Sequence, residues 1–201
     1  MDWMQENAEQ ITLWANIAMV MIWLVYLQLM YMGIRRANRA VIHIDKAASE
    51  DEDARCLVAN MGSDTVYVLA VKVDLDCANG VHEALVTDRM EKDGPLGGDF
   101  REGSSKGPLR GGEVVDIGSF GAIVERAARQ MDADIRVDTC RGIEITVVVA
   151  AQQAHKLLGG YKRFEVEGAE GGPLTVRSDD VLTRQISGWK RRRQLRREIA
   201  C

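Results

Sequence analysis

The 201 residues carry a net charge of −4, from 26 basic and 30 acidic side chains. That charge is unevenly divided: the last eighteen residues, from Arg184, carry about +6, three acids and three arginines cancel near the N-terminus, and residues 40–183 are left near −10. So acidic a body is repelled by nucleic acid and anionic lipid alike, which excludes a nucleic-acid-binding core, whereas the tail is drawn to both.

The first element is a run without a charge, residues 11–34, broken only by Thr12, Asn16 and Gln28 among its polar side chains. As a helix it is about 36 Å long, against about 30 Å for a bilayer's hydrocarbon core. Its acidic start (Asp2, Glu6, Glu9) and length argue against a cleaved signal peptide. A single-pass transmembrane helix over 11–34 is predicted, preceded by an N-tail of 1–10 and followed by a basic linker of 35–40. Arg35, Arg36 and Arg39 follow the run and no Lys or Arg precedes it. By the positive-inside rule these three residues orient the chain at the inner (plasma) membrane, N-terminus outside and C-terminal domain cytoplasmic. Trp14, Tyr26 and Tyr31 suit interfacial belts. Asn16 and Gln28 are costly in lipid unless partnered, so they are the candidates for helix association and a homo-oligomer.

Beyond the linker, 41–178 reads as one domain of strands. Residues 41–44 alternate, an acidic loop crosses 49–53, and 55–59 and 65–76 form a hairpin about a turn at 60–64. In the second strand Val71, Val73 and Leu75 share one face while Lys72, Asp74 and Asp76 share the other. Residues 81–87 follow as another strand. Seven glycines and two prolines mark 90–112 as a long loop whose spacing misses that of a P-loop. After a strand at 113–117, Ser119 can cap a short helix with Phe120, Ile123, Val124, Ala127, Ala128 and Met131 on one side. The clearest strand places Ile143, Ile145, Val147 and Val149 inward. Phe164 with Val166, then Leu174 with Val176, complete a mainly-β antiparallel sandwich.

Two segments in this series, VANMGSDTVYVLAVKVDL (58–75) and GPLRGGEVVDIGS (107–119), resemble the bacterial immunoglobulin-like pattern. In that pattern an Asn-x-Gly turn joins two strands and a Pro/Gly loop later enters the opposite sheet. The resemblance covers about half of the soluble part and implies an immunoglobulin-like sandwich, a fold used mostly for binding. A fold does not assign an activity.

The four cysteines, Cys56, Cys77, Cys140 and Cys201, form no C-x-x-C pair, and a cytoplasmic placement predicts that they stay reduced. His43, His82 and His155 are widely spaced and announce no metal site. No G-x-S-x-G elbow or other catalytic spacing is present. Neither catalytic nor metal-ligating residues are therefore assigned, no cofactor is expected, and the chain is read as non-catalytic.

The last element, 179–201, is a basic helix or tail predicted to begin at Ser178 or Asp179, with Asp179 and Asp180 as its cap. Trp189, Lys190, Arg191, Arg192, Arg193, Arg196 and Arg197 form a candidate site for an anionic surface. The leading reading is adsorption to the cytoplasmic leaflet, where each basic residue is worth about 1 kcal/mol. Docking on an acidic protein surface, this protein's own body included, is the second. Nucleic acid is the third and least favoured, because one aromatic residue makes a poor stacking platform. The function expected is a membrane-anchored interaction, scaffold or accessory-subunit protein, with the lipid bilayer and a membrane protein as partners. Its rivals are an oligomeric effector or channel-like subunit and an enzyme whose site is unrecognised. Arginines outnumber lysines 19 to 7 and alanine is frequent, which fits a high-GC bacterium.

Overall fold

In a computed structural model that describes residues 7–37, 40–47, 49, 51, 53–87, 104–133, 135–151, 157–168, 175–186 and 188–200, the first element is α1, Ala8–Ala37. Within its stretch Ala8–Ile34 an 18-residue window has a mean hydropathy of 2.0, and none of that window is buried. Apolar side chains cover every side, so the helix has no polar face to give to water. Thr12 reduces the polar cost by donating its Oγ1 proton to the Ala8 carbonyl at 2.8 Å. One N-terminal helix long and apolar enough to cross a membrane is therefore present, and it forms a unit of its own, Met1–Arg39.

The second unit, Ala40–Cys201, is a mainly-β antiparallel domain with a short helix. One sheet is built from β1 (Ile42–Ala47), β2 (Arg55–Asn60) and β6 (Val114–Ser119), in the order β1-β2-β6. The larger sheet takes β3 (Val66–Cys77), β4 (Gly80–Leu85), β7 (Cys140–Ala151), β8 (Leu157–Glu167) and β10 (Arg184–Gln185), in the order β10-β8-β7-β3-β4. Two short strands complete it: β5 (Gly107–Leu109) pairs with β3 and β9 (Thr175–Ser178) pairs with β8. β5 lies inside the stretch the sequence marks as a long loop, whose residues 88–103 fall outside the described ones.

The core lies between the two sheets. Ile42, Ile44, Cys56, Val58 and Ile117 from one meet Val71, Val73, Leu75, Ile143, Ile145 and Val147 from the other, each within 1% of full burial. β3 shows why alternation is a local rule. Val66 and Val68 face inward from even positions, and Val71, Val73 and Leu75 from odd ones, because the register slips between Val68 and Ala70. One extra residue in a strand exchanges its two faces, so the bulge keeps valines inward along all of β3.

α2 (Phe120–Met131) begins as the sequence predicts: the Ser119 Oγ accepts the Ala122 N–H at 3.2 Å, and Glu125 pairs with Arg129 at 3.2 Å. Phe120 stacks edge-on against Phe164 of β8, ring centres 4.8 Å apart, and so locks the helix to the larger sheet. Arg126 is buried to 8% and donates to the carbonyls of Ala122, Val86 and Ile117, joining α2 to both ends of its surroundings. A bulge in β6 puts Gly118 at φ 123°, and a Cβ there would sit 3.0 Å from the Arg126 guanidinium. Asn60, fully buried, holds the turn that follows it through the carbonyls of Asp64 and Leu109 and the amide of Gly62.

Two expectations are corrected. The C-terminal helix does not begin at Ser178 or Asp179: α3 runs from Trp189 to Ala200, and the sheet continues to Gln185. Long-range pairing overrides the helical spacing of Leu182 and Ile186. β10 pairs with β8, while the Thr183 hydroxyl accepts the Ile44 N–H at 2.7 Å and the Gln185 amide bonds both Ile42 backbone groups. One short segment thus covers the edges of both sheets, where unpaired backbone would otherwise be exposed. The cysteines do not all stay as free thiols either. Cys77 and Cys140, opposite each other at the ends of β3 and β7, form a disulfide, whereas Cys56 is a buried thiol. Pairing across 63 residues of sequence is invisible to a search for C-x-x-C.

Candidate functional site: a cationic helix seated on an acidic sheet face

Strand geometry sends Lys72 and Asp74 of β3 to the side of the large sheet away from the core. Thr146 and Glu144 of β7 lie opposite them in register, followed by Tyr161 and Arg163 of β8 and Glu83 of β4. α3 is seated on this face. Leu195 is 5% exposed and packs with Val148 and Ile186, flanked by Leu157, Tyr161 and Ile199.

Charge fixes the helix more specifically than this small apolar cluster does. Lys72 Nζ lies 2.9 Å from Glu83, 3.1 Å from Asp74 and 3.3 Å from Glu198, the one acid of α3. Burial opposes the Lys72 charge, but these three carboxylates outweigh it and hold its pKa above that of an ordinary lysine. The Asp74 pKa is raised too, which for a carboxyl disfavours the charged form: burial lifts it, and Lys72 recovers only part of the shift. Arg191 lies 3.6 Å above the Tyr161 ring and bonds Glu144 at 2.8 Å. Arg192 donates twice to the Ile186 carbonyl.

The basic tail therefore has two sides. At about 100° per residue, Arg191, Leu195, Glu198 and Ile199 occupy the seated side and Trp189, Lys190, Arg193, Arg196 and Arg197 the outward one. Trp189 is 70% exposed, with the Arg193 guanidinium 5.3 Å from its ring centre. Lys190, Arg193, Arg196 and Arg197 are all exposed and form no ion pair among the described residues. Of the seven tail residues singled out in the sequence, Arg191 and Arg192 are turned into intramolecular contacts.

The other sequence candidates lie elsewhere. Asn16 and Gln28 are exposed on α1, and the helix extends through Arg35 and Arg36, while Arg39 lies outside the described residues. His43 contacts Thr183 at 3.3 Å, His82 contacts Asn79 at 2.9 Å, and His155 lies outside the described residues. Among the described residues no group of three His, Cys, Asp or Glu is arranged to hold a metal ion.

Sequence reasoning missed the roles of Lys72, Glu144 and Arg126. A signal existed for the first two: Arg191 and Glu198 are seven residues apart, hence on one helix face, with charges that match an outward row of Lys and Asp. No protein-family model, curated protein or solved structure matches the chain.

Proposed function

We propose that this chain is a single-pass, membrane-anchored, non-catalytic interaction module, a scaffold or accessory subunit that presents an immunoglobulin-like domain on the cytoplasmic side. The observation that carries it is α1, whose stretch Ala8–Ile34 is long and apolar enough to cross a membrane, joined to a separate compact domain. The immunoglobulin-like reading is supported by strand order. Lettered from the N-terminus, β1-β2-β6 corresponds to A-B-E and β8-β7-β3-β4 to G-F-C-C′ of that fold. The disulfide departs from it, joining C to F within one sheet where antibody domains join B to F across the core. The orientation rests on Arg35, Arg36 and Arg39.

Membrane partition tests the anchor. The full chain is expected to stay in the membrane pellet through an alkaline carbonate wash, and recovery in the supernatant would sink the anchor. A reporter active only in the cytoplasm, fused after Cys201, is expected to be active. Purification in mild detergent is expected to bring a membrane partner along; a lone monomer with no companion counts against the scaffold role.

One observation favours a second reading with the domain translocated, since disulfides persist in oxidising compartments and Cys77 and Cys140 are paired. Alkylation of thiols in intact, acid-quenched cells separates the two. Labelled Cys77 and Cys140 fit the cytoplasmic domain, and protected ones fit the translocated domain.

A further inference from the structure

We infer that the outward arc of α3, formed by Trp189, Lys190, Arg193, Arg196 and Arg197, is a docking surface for anionic phospholipid headgroups, used while the helix stays seated on its own sheet. The inference rests on the reading of α1 as a membrane anchor.

Three observations carry it. The arc is cationic throughout: Glu198, the helix's one acid, is turned away to Lys72 and further held by Gln194 at 2.8 Å. Seating spends only the inner cations, because Arg191 and Arg192 satisfy Glu144 and the Ile186 carbonyl and leave the outer four without an ion pair among the described residues. Trp189 stands 70% exposed at the start of this arc, an amphipathic ring of the kind that settles at headgroup depth. An isolated tryptophan beside four cations suits a lipid surface, where one ring inserts and charges remain among phosphates. A single-stranded nucleic acid requires a row of rings on which successive bases stack.

The acidic body explains why seating matters. Glu144, Asp74 and Glu83 would repel an anionic leaflet; Arg191 of α3 pairs with Glu144 and Lys72 pairs with Asp74 and Glu83, while the outer side of α3 presents only positive charge. Covalent attachment to α1 keeps the arc at a high effective concentration near lipid, so four cations suffice where a free peptide would need more.

The test uses the full-length chain in nanodiscs, with W3F, W14F and W23F leaving Trp189 as its one tryptophan. Discs contain phosphatidylcholine alone or with phosphatidylglycerol, plus a headgroup spin label that quenches nearby tryptophan. Quenching is expected only with phosphatidylglycerol and is expected to reverse with salt. Each of K190Q, R193Q, R196Q and R197Q is expected to lower the ratio of engaged to free Trp189 about fivefold. R191Q removes an inward cation and is expected to change that ratio less than about twofold. Equal quenching in both discs, no quenching in either, or an R191Q loss as large as that of R193Q overturns the inference. So does release of Trp189 from the disc by single-stranded RNA at equal phosphate concentration. Co-elution of protein with discs separates the two readings: without it the anchor fails and the arc with it, whereas co-elution without quenching removes the arc alone. Both disc faces carry the same lipid, so cellular orientation does not enter.

Discussion

Arg126 shows how one buried charge can organise three elements. Its guanidinium is planar with several donors, and it uses that shape to reach carbonyls on α2, β6 and the end of β4. A lysine has one ammonium and cannot reach all three. R126K is therefore expected to destabilise the domain by about 2 kcal/mol, read from urea melts. A loss below about 0.5 kcal/mol would mean those carbonyls find other partners. Asp74 gives a pH signature instead. Burial raises its carboxyl in the folded chain, so the folded state keeps the proton to higher pH than the unfolded state does. Ionising it then costs stability as pH rises from the ordinary value of 3.8 through the raised one. D74N removes that cost, and its stability relative to wild type is expected to improve as pH climbs from 3.8 through the raised pKa. A difference that is flat or falls across that interval would contradict the assignment. Lys72 retains Glu83 and Glu198 in this variant, so α3 should stay seated.

Among the elements, α3 and β10 matter most because each has a sequence signal that tertiary contacts redirect. The spacing of Leu182, Ile186 and Trp189 fits a helix, yet a strand edge and two side chains aimed at β1 claim the first part. Helical propensity is worth only tenths of a kcal/mol per residue, less than satisfying buried backbone groups. What survives is a helix of 12 residues, short for independent stability in water. Its order should therefore depend on seating. L195D places a carboxylate against Val148 and Ile186, and amide protection over residues 189–200 is expected to disappear in hydrogen exchange while that of β3 and β7 persists. Protection lost together in all three would make α3 an integral part of the core.

At the scale of the whole chain, the two units are expected to separate. Residues 40–201 expressed alone should give a mainly-β circular-dichroism spectrum and one cooperative melt. Val147 is fully buried between the sheets, and V147D should abolish that melt, because an unpaired buried carboxylate costs several kcal/mol against a total of roughly 5–15. A melt retained in V147D would show that the inter-sheet core is not what holds the domain.

The apolar run of α1, the alternation of β7 and the cap and inner face of α2 were legible without coordinates. Each is set by neighbours within a few residues, where helical and strand periods translate directly into which side is buried. The tail was legible in its charge and not in its use, because a row of arginines reads the same whether it meets lipid or a carboxylate. Partners distant in sequence decided the rest. Glu144 met Arg191, Lys72 met Glu198, Cys77 met Cys140, and the bulge at Val68–Ala70 reversed the faces of β3. Local pattern specifies which surfaces want covering, but what covers them depends on chain reversals far away, and that required the fold.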